Sequence, residues 1–163
     1  MARRELTEKE QEQFDKVLSE TMTKPLDYVR HDANARCDEA LRRATAEHGM
    51  SFLGSWWVLV ELLCSKSEHE YDVSDLTGWN ILALDMSTCG RLWTADECRD
   101  FCQQLAGYGL IERELFDAGR IVNDRICREV EKYARAVAGK SLGSWKTTMT
   151  LSGNAQRDAK RNA

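Results

Sequence analysis

From Ser51 to Cys64 the chain is apolar on nearly every side of a helix, and such a segment fits only at the centre of a fold. Phe52, Leu53, Trp56, Trp57, Leu59, Val60, Leu63 and Cys64 cover much of the circumference, so this is the expected core helix. The longest apolar run, Trp56 to Leu63, is broken by Glu61 and falls far short of the ~20 residues that a membrane span needs. The opening Met1-Ala-Arg-Arg-Glu leads into charge rather than an apolar signal region, which points to a cytoplasmic protein with no membrane partner.

The other elements arrange themselves around this helix. Thr7 with Glu10 forms a capping box, and Phe14, Val17, Leu18 and Met22 recur at helical spacing up to Lys24-Pro25, the only proline. Asp38 caps a short helix that Gly49 closes. Glu70 to Val73 reads as a strand, and Ser74 caps a helix with Leu76, Trp79, Leu82 or Ala83, and Met86 inward. Thr94 with Glu97 opens a helix over 95–107 carrying Cys98, Phe101, Cys102, Leu105 and Ala106 on one face. Ile111, Arg113 and Leu115 alternate as a strand should, Asp117-Ala-Gly119 turns, and Arg120 to Val122 returns. Asn123 or Asp124 caps a last helix with Ile126, Cys127, Val130, Tyr133, Ala134 and Val137 inward.

This order predicts a mainly α fold with a small β-hairpin: a winged-helix-like domain with an extra N-terminal helix and a C-terminal helix plus tail. The expected parts are a charged helix over 1–24, the winged-helix-like domain over 25–138 and a basic, flexible tail over 139–163, disordered beyond 152. An all-helical chain without a wing is the alternative.

Six cysteines occur without a CxxC pair, and Cys64, Cys98, Cys102 and Cys127 fall among Leu, Val and Phe at core spacing. Reduced thiols acting as small buried hydrophobes are the expectation. A zinc held by Cys98 and Cys102 with Cys89 and Cys64 or His69 is the lesser alternative, so neither metal nor cofactor is expected. Charge is strongly divided. Residues 125–163 hold nine Lys or Arg against three Asp or Glu, which leaves −10 on residues 1–124 of a chain whose net charge is −4.

Three spaced motifs occur in order: Tyr28-Val-Arg-His31-Asp32-Ala-Asn34-Ala-Arg36-Cys-Asp38, then His48-Gly49-Met-Ser-Phe-Leu-Gly54-Ser-Trp56-Trp57-Val-Leu-Val-Glu61, then Phe101-Cys-Gln-Gln-Leu105-Ala-Gly-Tyr-Gly109-Leu110. Over roughly residues 25–138 the chain resembles the N-terminal domain of DnaD-like replication proteins of prophages and other mobile elements. That family opens with an aromatic, His-Asp, Asn, Arg and Asp. It continues with Tyr-Gly-x-x-Gly-x-Gly-x-Tyr-Trp and an apolar helix containing Glu, and later has Phe-x-x-x-Leu-x-x-x-Gly-Leu. The resemblance implies a winged-helix-like fold and a setting in phage or mobile-element replication, without a catalytic activity.

No Walker loop, GxGxxG, GxSxG or HExxH occurs, so an enzyme is not expected. His31-Asp32 lacks the further His and Asp ligands of a metal-dependent phosphohydrolase and reads as structural, with Asn34, Arg36 and Asp38. Trp56, Trp57 and Trp79 stand at core positions, whereas Trp93 and Trp145 fall in loop and tail and are contact candidates.

The expected groove-reading helix presents Asp96, Glu97, Arg99, Asp100, Gln103 and Gln104, a face that phosphate would repel. The wing offers Arg113 and Arg120 beside Glu112, Glu114 and Asp117. A cleaner cationic stripe comes from Arg125, Arg128, Lys132 and Arg135, continued by Lys140, Lys146, Arg157, Lys160 and Arg161. These residues define a nucleic-acid-binding reading, with DNA or a nucleic-acid-handling complex as partner and a homodimer compatible. The competing reading is an acidic protein-binding regulator or inhibitor of a host nucleic-acid machine, of anti-defence (anti-CRISPR) type. It would use Asp96, Glu97, Asp100, Trp93 and Trp145.

Overall fold

The structure, a computed structural model, describes residues 6–26, 37–87 and 91–161. His31, Asp32, Asn34, Arg36 and Cys89 lie outside the described residues. The chain divides into two compact units, Lys24–Arg128 and Met1–Thr23 with Glu129–Ala163. The described residues are mainly helical, with one small antiparallel strand pair among them. No described helix is long and apolar enough to cross a membrane.

In the unit over 24–128, helix α2 (Glu39–His48) starts on Asp38, whose carboxylate accepts the Leu41 N–H at 2.9 Å. Gly49, at φ 83°, ends α2 and turns the chain at once into α3 (Met50–Ser65). That backbone conformation favours glycine. Leu59 and Leu63 of α3 are fully buried, with Phe52, Trp56, Val60 and Cys64 buried around them. Trp57 is only half-buried, so the expected core role belongs to Trp56.

After a single 3-10 turn at Ser67–His69 come β1 (Glu70–Asp72), α4 (Leu76–Met86) and α5 (Ala95–Tyr108). The cap of α4 is Asp75 rather than Ser74: its carboxylate accepts the Gly78 N–H at 2.8 Å. A Cβ on Gly78 would stand 2.1 Å from the Asp72 carbonyl oxygen, so α4 can lie this close to β1 only with glycine there. Leu82 of α4 and Cys98, Cys102 and Leu105 of α5 complete the centre of the core.

The expected hairpin over 111–122 forms differently. Residues Arg113–Asp117 are a short helix, α6, and β2 (Arg120–Val122) pairs antiparallel with β1 in the register Glu70↔Val122, Tyr71↔Ile121, Asp72↔Arg120. One backbone bond of the expected hairpin is present, Glu112 N–H to the Val122 carbonyl at 3.0 Å. Arg-Glu-Leu-Phe-Asp contains no β-branched residue, and the i,i+4 pair Arg113–Asp117 at 3.0 Å suits a helical turn. In the order α3–β1–α4–α5–α6–β2, α6 takes the place of the first strand of the expected hairpin.

In the other unit, α1 (Glu8–Met22) opens with the expected box: Thr7 N–H donates to Glu10 at 2.8 Å and Glu10 N–H to the Thr7 hydroxyl at 3.4 Å. The second carboxylate oxygen of Glu10 meets Lys146 Nζ at 2.9 Å. The Thr7 amide, and then Lys146, pull the Glu10 carboxyl down to about 2. Because this value is depressed, its contribution to holding α1 is full above the ordinary carboxylate range and is lost as pH falls towards 2.

Helix α7 (Asp124–Arg161) starts in the first unit and runs through the segment expected as a flexible tail. Its start is Asn123, buried, whose side-chain oxygen accepts the Ile126 N–H at 2.9 Å while its amide donates to the Leu110 carbonyl at 2.6 Å. Val130, Ala134, Ala138 and Leu142 recur every fourth residue and are buried, and Trp145 is half-buried on the same side. That stripe carries the helix across Gly139 and Gly143, which look like breakers in the sequence.

Candidate nucleic-acid and partner surfaces

The outward face of α5 has the expected composition, but its charges are occupied locally. Asp96, Glu97, Arg99, Asp100, Gln103 and Gln104 are all exposed. Glu97 accepts both the Thr94 N–H (2.8 Å) and the Thr94 hydroxyl (3.0 Å), and these bonds hold its carboxyl below the usual range. It is a helix cap first and a surface charge second. Arg99 pairs with Asp96 at 3.0 Å and its guanidinium lies 5.2 Å from the Trp79 ring centroid. An arginine held this way, among three carboxylates, is poorly placed to reach into a groove.

The wing positions are likewise paired. Arg113 holds Asp117 at 3.0 Å. Arg120 makes a two-pronged contact with Glu70 across the β1–β2 pair, and Glu70 raises its pKa further. Arg120 is thus tied to the strand pair, where the sequence suggested a free cation, whereas Arg113 is held only by an exposed contact within α6.

Helix α7 differs. Arg128, Lys132, Arg135 and Lys140 are exposed, the first three at spacings of four and three and Lys140 five residues further along the helix. Lys132 touches Glu129 at 2.5 Å and Arg135 touches Glu131 at 2.7 Å, both exposed contacts within one helix. Such pairs are worth little and exchange readily. Arg125 is half-buried and has interactions of its own. Lys146 is held by Glu10. The usable cations are therefore Arg128, Lys132, Arg135 and Lys140; the side chains of Arg157, Lys160 and Arg161 lie outside those described.

Of the two contact tryptophans, Trp93 is half-buried against Phe101 (centroids 5.4 Å apart) and Arg91 stacks 4.0 Å over its ring. Trp145 is half-buried on α7 and does not fall in an open tail. Neither presents a free ring.

Cys64, Cys98 and Cys102 sit in the core as expected, whereas Cys127, also expected inward, is only half-buried. Burial pushes the thiols of Cys64 and Cys98 up to about 11 and that of Cys102 higher still. They are protonated at neutral pH, which makes them weak nucleophiles and weak ligands. Among the described residues no group of three His, Cys, Asp or Glu side chains is placed to hold a metal ion. His69 is buried, with Nδ1 3.3 Å from the Leu63 carbonyl oxygen and Nε2 without a partner.

His48 packs as an aromatic ring does. Its ring stacks on Phe52 with centroids 4.9 Å apart, and Nε2 lies 3.1 Å from the Tyr108 hydroxyl, which donates to Glu47 at 2.5 Å.

One surface was missed from the sequence. Leu76, expected inward, is 62% exposed, and Ile81 and Leu84 of the same helix are 46% and 74% exposed. Helix α4 carries apolar residues on more than one side, among exposed Thr77 and Asn80, and only the side with Trp79, Leu82, Ala83 and Met86 is buried. The excess of apolar positions over one helix face was the available signal.

Compared with known protein families, with curated proteins and with solved structures, the chain matches none.

Proposed function

We propose that the protein is a non-enzymatic nucleic-acid-binding module, active in the cytoplasm in a replication setting of phage or mobile-element type, that grips phosphates along α7. The observation that carries this reading is the exposed set Arg128, Lys132, Arg135 and Lys140, held only by in-helix contacts, whereas Arg120 and Lys146 are tied to Glu70 and Glu10 on other elements. The motif resemblance over residues 25–138 supports the setting. Binding of this kind is electrostatic and carries little base preference, since α5 presents carboxylates to a groove.

The test is the salt dependence of DNA binding. Each phosphate contact contributes about 0.9 to the slope of log affinity against log salt. Replacing Arg128, Lys132 and Arg135 together by Ala should weaken binding to duplexes of unrelated sequence alike and reduce that slope by about 2–3. Asp96→Asn with Asp100→Asn, leaving the Glu97 cap intact, should leave affinity equal or raised. Absence of DNA affinity at low salt would overturn the reading in favour of a protein-binding regulator built on the acidic α5 face.

A further inference from the structure

Lys146 belongs to the cationic side of α7 by position, yet it is the one cation there that another helix holds. It follows Arg135 by eleven residues and Lys132 by fourteen, about three and four turns, so the three share a side. From Lys132 to Met149 the helix carries Lys132, Arg135, Lys140 and Lys146 and no carboxylate. Helix α1, in the same compact unit, has the opposite balance: Glu8, Glu10, Glu12, Asp15 and Glu20 against Lys9 and Lys16.

The two helices meet through a charge. Glu10 is buried; one carboxylate oxygen accepts the Thr7 N–H at 2.8 Å and the other meets Lys146 Nζ at 2.9 Å. No apolar residue of α1 is buried. Phe14, Val17 and Leu18 are half-buried, and the second buried residue, Thr21, donates its hydroxyl to the Val17 carbonyl of its own helix. This end of α1 is therefore fastened by an ion pair rather than by a core. Another anion can compete for an ion pair, as it cannot for a buried apolar face.

We propose that α1 is a built-in competitor for the phosphate-binding side of α7: docked, it withholds Lys146 from nucleic acid, and released, it extends the cationic line from Arg135 to Lys146. This rests on the phosphate-binding reading above and adds the regulation of that site. While α1 is docked, the exposed Glu8 and Glu12 beside Glu10 add further negative charge at the same end of the helix.

Binding of the full chain to a short DNA duplex, read as the slope of log affinity against log salt, tests it. Glu10→Gln keeps an acceptor for the Thr7 N–H and removes the charge that holds Lys146. This variant should bind tighter, with a slope steeper by about 0.9, so that a roughly fourfold rise in salt weakens it about 3.5-fold more than the wild type. Lys146→Ala alone should leave the wild-type slope unchanged, and added to Glu10→Gln it should abolish the gain. Amide exchange over α1 should quicken in Glu10→Gln. An unchanged slope in Glu10→Gln overturns the proposal whether or not exchange quickens, and so does a Lys146→Ala variant that flattens the wild-type slope. If replacing Arg128, Lys132 and Arg135 lowers the slope while Glu10→Gln does not raise it, the phosphate grip stands and only the competitor role falls. A chain without DNA affinity at low salt overturns both.

Discussion

Helices α5 and α7 both present a charged face to solvent, yet only one of them offers charges that a ligand can take. On α5, Glu97 closes the Thr94 cap and Arg99 is held between Asp96 and the Trp79 ring. On α7, Lys132 and Arg135 lean on neighbours one turn away and Arg128 and Lys140 stand exposed. The comparison teaches that the position of a helix in the element order does not make it a reading helix. What decides is whether its charges are already bound to the fold.

The two helices should also fail differently when altered. The largest effect belongs to the buried side of α5. Phe101 packs edge-on against Phe52 at 5.0 Å and against Trp93, so Phe101→Ala should cost about 3–5 kcal/mol in chemical denaturation. A cost under about 1 kcal/mol would show that α5 is not anchored through this ring.

An intermediate effect tests whether the outward side of α5 is structural. Thr94→Ala removes the hydroxyl of the capping box and should cost about 1 kcal/mol, with faster amide exchange in the first turn of α5. No change in either measurement would return Glu97 to the list of available surface charges and weaken the contrast with α7.

The smallest effect has the opposite sign and concerns α7. A Cβ on Gly139 meets nothing within 4 Å, and the residue is exposed inside a helix. Gly139→Ala should therefore stabilise by about 0.5–1 kcal/mol, read as a raised thermal midpoint. Destabilisation would mean that the helix is interrupted there and that the cationic row ends near Arg135.

What could be read in the sequence follows the range of the interactions involved. The caps at Thr7, Asp38, Thr94 and Asn123 were legible because each is a bond across three residues, with donor and acceptor fixed by local spacing. The burial of Leu59, Leu63, Cys98, Phe101 and Leu105 was legible because helical period alone sorts them to one side. The missing outer wing strand was harder. Ile111, Arg113 and Leu115 alternate correctly, but the helix formers Arg113, Glu114 and Leu115 and the Arg113–Asp117 pair suit α6, and alternation over so short a span does not distinguish the two.

Of the proposed surfaces, the amino-acid sequence by itself determined which side chains lie together on α7, since residues three and four apart on one helix must share a side. It also determined that α5 is acidic outward and that Cys98 and Cys102 face the core. Only the tertiary structure decided that β2 pairs with β1, that Arg120 is taken up by Glu70 there, and that one side of apolar α4 is left uncovered. The physical reason is the same in each case. A strand edge, a carboxylate brought from fifty residues away and a neighbouring helix are partners that packing supplies, and no local periodicity encodes which of them arrives.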